Sequence, residues 1–175
     1  KGTAYALNNS FASGGTTSIT NSGTVTKNAT GNITSTGAFS TTGDVNLAAN
    51  ITTTDTNLTI GGNLVIAEAA TPTLSTGAGT AGNVLVSGTT NGTTGGVAET
   101  LTVQAGTGTA TFTGNVGNNA NGTELEALTI TNAAATTFSG TLDLANALTQ
   151  TNAATGTTTF TGAVAVGSAD LKGTA

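Results

Sequence analysis

The feature that most constrains this chain is a glycine-centred motif that returns along it at short, uneven intervals. It reads Phe112-Thr113-Gly114-Asn115-Val116, then Phe138-Ser139-Gly140-Thr141-Leu142-Asp143-Leu144, then Phe160-Thr161-Gly162-Ala163-Val164-Ala165-Val166. Looser copies are Phe39-Ser40-Thr41-Thr42-Gly43-Asp44-Val45-Asn46-Leu47 and Leu58-Thr59-Ile60-Gly61-Gly62-Asn63-Leu64. The key glycines, Gly23, Gly43, Gly62, Gly88, Gly114, Gly140 and Gly162, are separated by 20, 19, 26, 26, 26 and 22 residues. A second block, Leu101-Thr102-Val103, Leu128-Thr129-Ile130 and Leu148-Thr149-Gln150, lies 10 to 12 residues before each strong Phe motif. One repeat therefore holds at least two short strands.

Within the repeats, apolar and polar residues alternate with period two, as in Thr109-Ala110-Thr111-Phe112-Thr113 and Leu142-Asp143-Leu144. Period two gives a strand with one buried and one wet face. A helical turn is plausible only at Glu124-Leu125-Glu126-Ala127-Leu128. Short strands at a period near 20 to 26 residues, without helices, are the signature of a β-solenoid. The pattern predicts one repetitive all-β domain over residues 1–175, a parallel β-helix of roughly eight irregular coils of 19–26 residues. Stacked at about 4.8 Å, eight coils make a rod about 40 Å long. The alternative is two tandem immunoglobulin-like β-sandwiches, whose turns recur every 8–12 residues or so. Scarce Trp, Tyr and Pro and the single continuous register favour the solenoid. In it, Phe39, Phe112, Phe138 and Phe160 form a core ladder, and Gly43, Gly62, Gly114, Gly140 and Gly162 mark its turns.

Composition excludes many functions. The 175 residues include 44 Thr, 28 Ala, 26 Gly and 18 Asn, with no Cys, His, Trp, Met or Arg. Charged residues make up 6%, against about 25% in an ordinary domain. Without Cys and His there is no thiolate zinc site, redox pair, Ser-His-Asp triad or cysteine nucleophile. Three Lys, no Arg and a net charge of −5 argue against nucleic acid. No run approaches the roughly 18 apolar residues of a membrane-spanning helix. Disorder is disfavoured, because 36% of residues are hydrophobic and they cluster into strand-length pieces such as Val84-Leu85-Val86.

No catalytic or cofactor-binding residue emerges. Gly77-Ala78-Gly79-Thr80-Ala81-Gly82 matches a dinucleotide-binding fingerprint, but a strand-like Val84-Leu85-Val86 follows it where that fold requires a helix. Glu124 and Glu126 share a face if extended and are weak candidates for Ca²⁺. Carboxylates such as Asp143 leave acid-base glycoside chemistry formally open, yet no Arg, His or Trp is present to grip a sugar. Sequons such as Asn28-Ala29-Thr30 occur no more often than the Asn, Ser and Thr content dictates. Thr-rich outward rows raise the idea of ice binding. That requires a flat, regularly spaced Thr-x-Thr array, and the uneven repeat spacing predicts that none forms.

The chain opens on Lys1-Gly2-Thr3-Ala4, without an initiator Met, and closes on Lys172-Gly173-Thr174-Ala175. The absent Met reads as a mature or excised piece. The matching tetrapeptides predict a period of 171 residues, so that the chain is one unit of a longer tandem protein or a polymer. Exposed strand edges at the ends of a solenoid also invite pairing with a second copy.

Over residues 19–166 the Leu-Thr-x-Thr runs and Thr-Thr-Phe-x-Gly motifs, best seen from Leu128 to Leu144 and from Leu148 to Val166, resemble bacterial β-strand-repeat surface proteins. These are S-layer-like and autotransporter-passenger-like proteins of the rickettsial outer-membrane type. The resemblance implies a secreted, cell-surface scaffold: a segment of an extracellular layer or filament whose partner is itself. The alternative it implies is an adhesin stalk that presents loops to a glycan or host receptor.

Overall fold

A computed structural model describes residues 2–79, 82–93, 98–118, 125–151 and 157–172. Its strands are short and rich in Thr, Val, Ile and Leu, of which the β-branched residues favour extended backbone, and Gly and Asn fill the connections. The first turn is β1 Tyr5–Leu7, β2 Phe11–Ser13 and β3 Thr17–Ile19. The second is β4 Val25–Lys27, β5 Ile33–Ser35 and β6 Phe39–Thr41, and the third is β7 Val45–Leu47, β8 Ile51–Thr53 and β9 Leu58–Ile60. The fourth is β10 Leu64–Ile66, β11 Thr73–Ser75 and β12 Val84–Val86, and the fifth is β13 Thr90–Asn91, β14 Thr100–Gln104 and β15 Thr109–Phe112. In the sixth, Val116 bridges alone, ahead of β16 Ala127–Asn132 and β17 Ala135–Phe138. The seventh is β18 Leu142–Asp143, β19 Ala147–Gln150 and β20 Thr158–Phe160, after which β21 Val164–Ala165 and β22 Ser168–Asp170 begin an eighth.

Each turn contributes one strand to each of three walls, except that in the sixth the Val116 bridge stands in for the first-wall strand. The first wall runs β1-β4-β7-β10-β13 and is continued by the Val116 bridges and the β18-β21 pair. The second runs from β2 to β22 through eight strands, and the third from β3 to β20 through seven. Every strand pair among the described residues is parallel. The fold is therefore the predicted β-solenoid, with about seven complete turns and an eighth begun. The sandwich alternative is overturned, because sandwiches pair their strands antiparallel. The predicted helical turn is also corrected. Leu125 bridges Leu144 and Ala127 opens a six-residue strand, so the chain here pairs as strand, and Glu124 lies outside the described residues.

Because side chains alternate in and out along a strand, each wall sends columns of residues inward. On the third wall one inner column reads Ile19, Thr41, Ile60, Val86, Phe112, Phe138 and Phe160. Its last three rings stack with centroids 5.3 Å apart and planes within 5°, because parallel in-register strands place identical residues directly above one another. Phe39 stands in the neighbouring inner column, between Thr17 and Leu58. Phe39 precedes its glycine by four residues where the other three precede theirs by two. A shift of two keeps a side chain inside but moves it one column along.

The corner from the third wall to the first is the constant element. From the second turn onward it has three residues with glycine in the middle: Thr42-Gly43-Asp44, Gly61-Gly62-Asn63, Ser87-Gly88-Thr89, Thr113-Gly114-Asn115, Ser139-Gly140-Thr141 and Thr161-Gly162-Ala163. The glycines stack. A Cβ on Gly62 would lie 2.5 Å from the carbonyl carbon of Gly43, and one on Gly88 would lie 2.6 Å from that of Gly62. Backbone rides on backbone here, so only glycine fits.

Candidate functional site

Among the described residues the interior holds one continuous apolar cluster from Val25 to Leu148, so the surfaces open to a partner are the walls and corners. The outer face of the third wall stands apart. Its middle row, read strand by strand, is Ser18, Ser40, Thr59, Leu85, Thr111, Thr137 and Thr159, and the register never slips. Two residues further along each strand lie Thr20, Thr42, Gly61, Ser87, Thr113, Ser139 and Thr161. The ladder extends through this second row, because the N–H groups of Thr42, Gly61, Ser87, Thr113, Ser139 and Thr161 donate to carbonyls of the preceding turn at 2.9–3.1 Å. A third row on the other side reads Thr16, Ala38, Asn57, Asn83, Thr109, Ala135 and Thr157.

No position in these rows carries a charge or an aromatic ring. In the middle row the hydroxyls of Ser18, Ser40, Thr59, Thr111, Thr137 and Thr159 have no partner among the described residues, and their side chains are exposed or half-exposed. The uneven repeats do not break the register of this wall: Ser or Thr occupies both the middle and the second row in five of the seven strands, and Gly61 and Leu85 interrupt the array in the other two. Variation in repeat length falls in the second wall and the connections on either side of it, while the register of the third wall holds and the glycine corner keeps its three residues from the second turn onward.

The corners are held by side-chain acceptors that climb the rod. Asp44 Oδ1 accepts the N–H of Asn63 at 2.7 Å, Asn63 Oδ1 that of Thr89 at 2.9 Å, and Asn115 Oδ1 that of Thr141 at 3.0 Å. At the entry to the third wall, Asn57 Oδ1 serves Asn83 at 3.0 Å and Asn83 Oδ1 serves Thr109 at 2.9 Å. Each of these acceptors satisfies an otherwise unpaired amide of the next turn.

One charged group is interior. Lys27 occupies an inner column of the first wall between Leu7 and Leu47 and is 1% exposed. Its ammonium donates to the carbonyls of Thr30 at 2.7 Å, Asn28 at 2.8 Å and Leu7 at 3.2 Å. Desolvation pushes its pKa below the ordinary lysine value. The Val25-Thr26-Lys27 alternation carries the signal for this, since Lys27 falls on the same face as buried Val25.

Glu124 lies outside the described residues, and Glu126 accepts a hydrogen bond from Asn146 Nδ2 at 3.2 Å. No cluster of three metal-ligating side chains occurs among the described residues. Asp143 faces outward on the first wall. Gly77 and Gly82 of the glycine-rich string lie between β11 and β12, and Thr80 and Ala81 lie outside the described residues. Lys1 and residues 173–175, which carry the matching ends, also lie outside them. The chain matches no protein family model, no curated protein sequence and no solved structure.

Proposed function

We propose that this chain is a structural segment of an extracellular surface layer or filament, a stiff β-rich scaffold. The observation that carries this reading is the unbroken parallel ladder of the third wall, which links seven successive turns through backbone hydrogen bonds. A rod built this way resists bending because any bend stretches bonds on one wall. The scarcity of Lys and the absence of Arg leave few sites for trypsin-like proteases, which suits exposure outside a cell. The chain associates with further copies of itself or with neighbouring repeats of a longer protein, and it performs no catalysis.

Electron microscopy of the purified protein tests this. Ordered fibres or sheets whose repeat matches the subunit are expected. Dispersed particles at high concentration, with affinity for a glycan or receptor, would favour the adhesin stalk instead. Hydrolysis of a polysaccharide that is lost in the Asp143→Asn variant would defeat both.

A further inference from the structure

We infer that the outer face of the third wall binds ice. Fifteen of the 21 positions in the three rows carry a hydroxyl, the exceptions being Ala38, Asn57, Gly61, Asn83, Leu85 and Ala135, and parallel pairing sets these positions on a grid in two directions. Along the rod the rows repeat at the strand spacing of about 4.8 Å, and across it at twice the residue rise, about 6.6 Å. Seven strands and three rows span about 29 Å by about 13 Å. These two repeats lie close to the spacings of oxygen atoms on the prism faces of hexagonal ice. The best-formed region comprises Thr109, Thr111 and Thr113 on β15 and its exit, with Thr137 above Thr111 and Thr159 above Thr137.

Three further observations select ice over other occupants. First, the chain has a net charge of −5 but places none of its charge on this face. Ions impose their own hydration shells on nearby water, so a charge-free surface suits an uncharged lattice. Second, the middle-row hydroxyls have no partner within the described protein and remain free to bond outward. Threonine is β-branched and stiff at χ1, so each hydroxyl and methyl is held in place before contact, and little side-chain entropy is lost on binding. Third, the Phe112 and Phe138 rings are buried in the core and the partly buried Phe160 ring packs against it. A flat face for crystalline polysaccharide would instead set such rings outside for stacking on sugars.

The test uses the full chain, with thermal hysteresis and partition into growing ice as readouts. The wild-type protein is expected to show both. Thr137→Lys and, independently, Thr111→Lys place a charge in the centre of the face and are expected to lose most of both activities. Thr129→Lys makes the same change on the outer face of the second wall and is expected to retain them. Circular dichroism confirms that each protein is folded. A folded wild-type protein inactive toward ice would overturn the inference, as would equal loss in Thr129→Lys or full activity in both third-wall variants. Retention on insoluble cellulose without activity toward ice would also overturn it, as would a face-to-face dimer that Thr137→Lys dissolves.

Discussion

The second and third walls are built from the same turns yet differ in regularity. On the third wall each strand meets the next residue for residue from Thr17 to Phe160. On the second wall the strands grow from three residues in β8 to five in β14 and six in β16, and the register shifts between Val103 and Gln104. The inner columns of the second wall change accordingly. Ser13, Ser35 and Thr53 form a column in the early turns, and Leu101, Leu128 and Leu148 supply a new one later. A repeat of uneven length can therefore be irregular in one wall and uniform in another. The glycine corner accounts for the difference, since from the second turn onward it leads from the third wall to the first at constant length.

The largest test of that contrast is Phe138→Ala. It removes the middle ring of the three-ring stack and leaves a cavity, at a cost of about 4 kcal/mol in chemical denaturation. A loss below about 1 kcal/mol would mean that the third wall collapses freely and is not the firmer of the two. Next comes Gly88→Ala at the constant corner, where the new Cβ meets the Gly62 carbonyl group at 2.6 Å. Its expected cost is about 2 kcal/mol. Gly14→Ala, at the corner between the second and third walls, meets nothing within 4 Å and should fall within about 0.5 kcal/mol of wild type. Equal effects at the two corners would break the comparison. Thr136→Val acts in the opposite direction. The Thr136 hydroxyl faces the core of the third wall without a partner among the described residues. Removing it is expected to stabilise the fold by about 1 kcal/mol.

The smallest effect concerns the first wall and depends on pH. Burial lowers the folded-state pKa of Lys27 below its ordinary value of 10.5. Between the two values the unfolded chain binds more protons than the folded one, so unfolding free energy rises with pH in that window. Below the window the penalty for the buried charge is constant. Lys27→Met lacks this rise. The difference between the two proteins in unfolding free energy should therefore grow in favour of wild type as pH approaches 10.5. A flat difference would place the ammonium in contact with water.

Much of this architecture is legible in the sequence. The glycine spacings reproduce the register of the first wall, where Val25, Val45, Leu64, Thr90, Val116, Leu142 and Val164 follow one another at the same intervals. The Leu101, Leu128 and Leu148 blocks likewise pair in register. The column of Phe39 was not legible, because a displacement of two residues leaves the inside-outside pattern unchanged. The regularity of the hydroxyl face was hidden for a different reason. Repeat length sums over all three walls, so it cannot say which one takes up the extra residues.

The three-residue glycine corner has one more consequence. It acts as an index mark at which each turn is brought back to the same phase. A turn may gain or lose residues elsewhere, but the error is cancelled before the next begins and does not accumulate. The chain can thus vary one side of every turn independently, turn by turn, while the opposite side remains a lattice with a single unit cell.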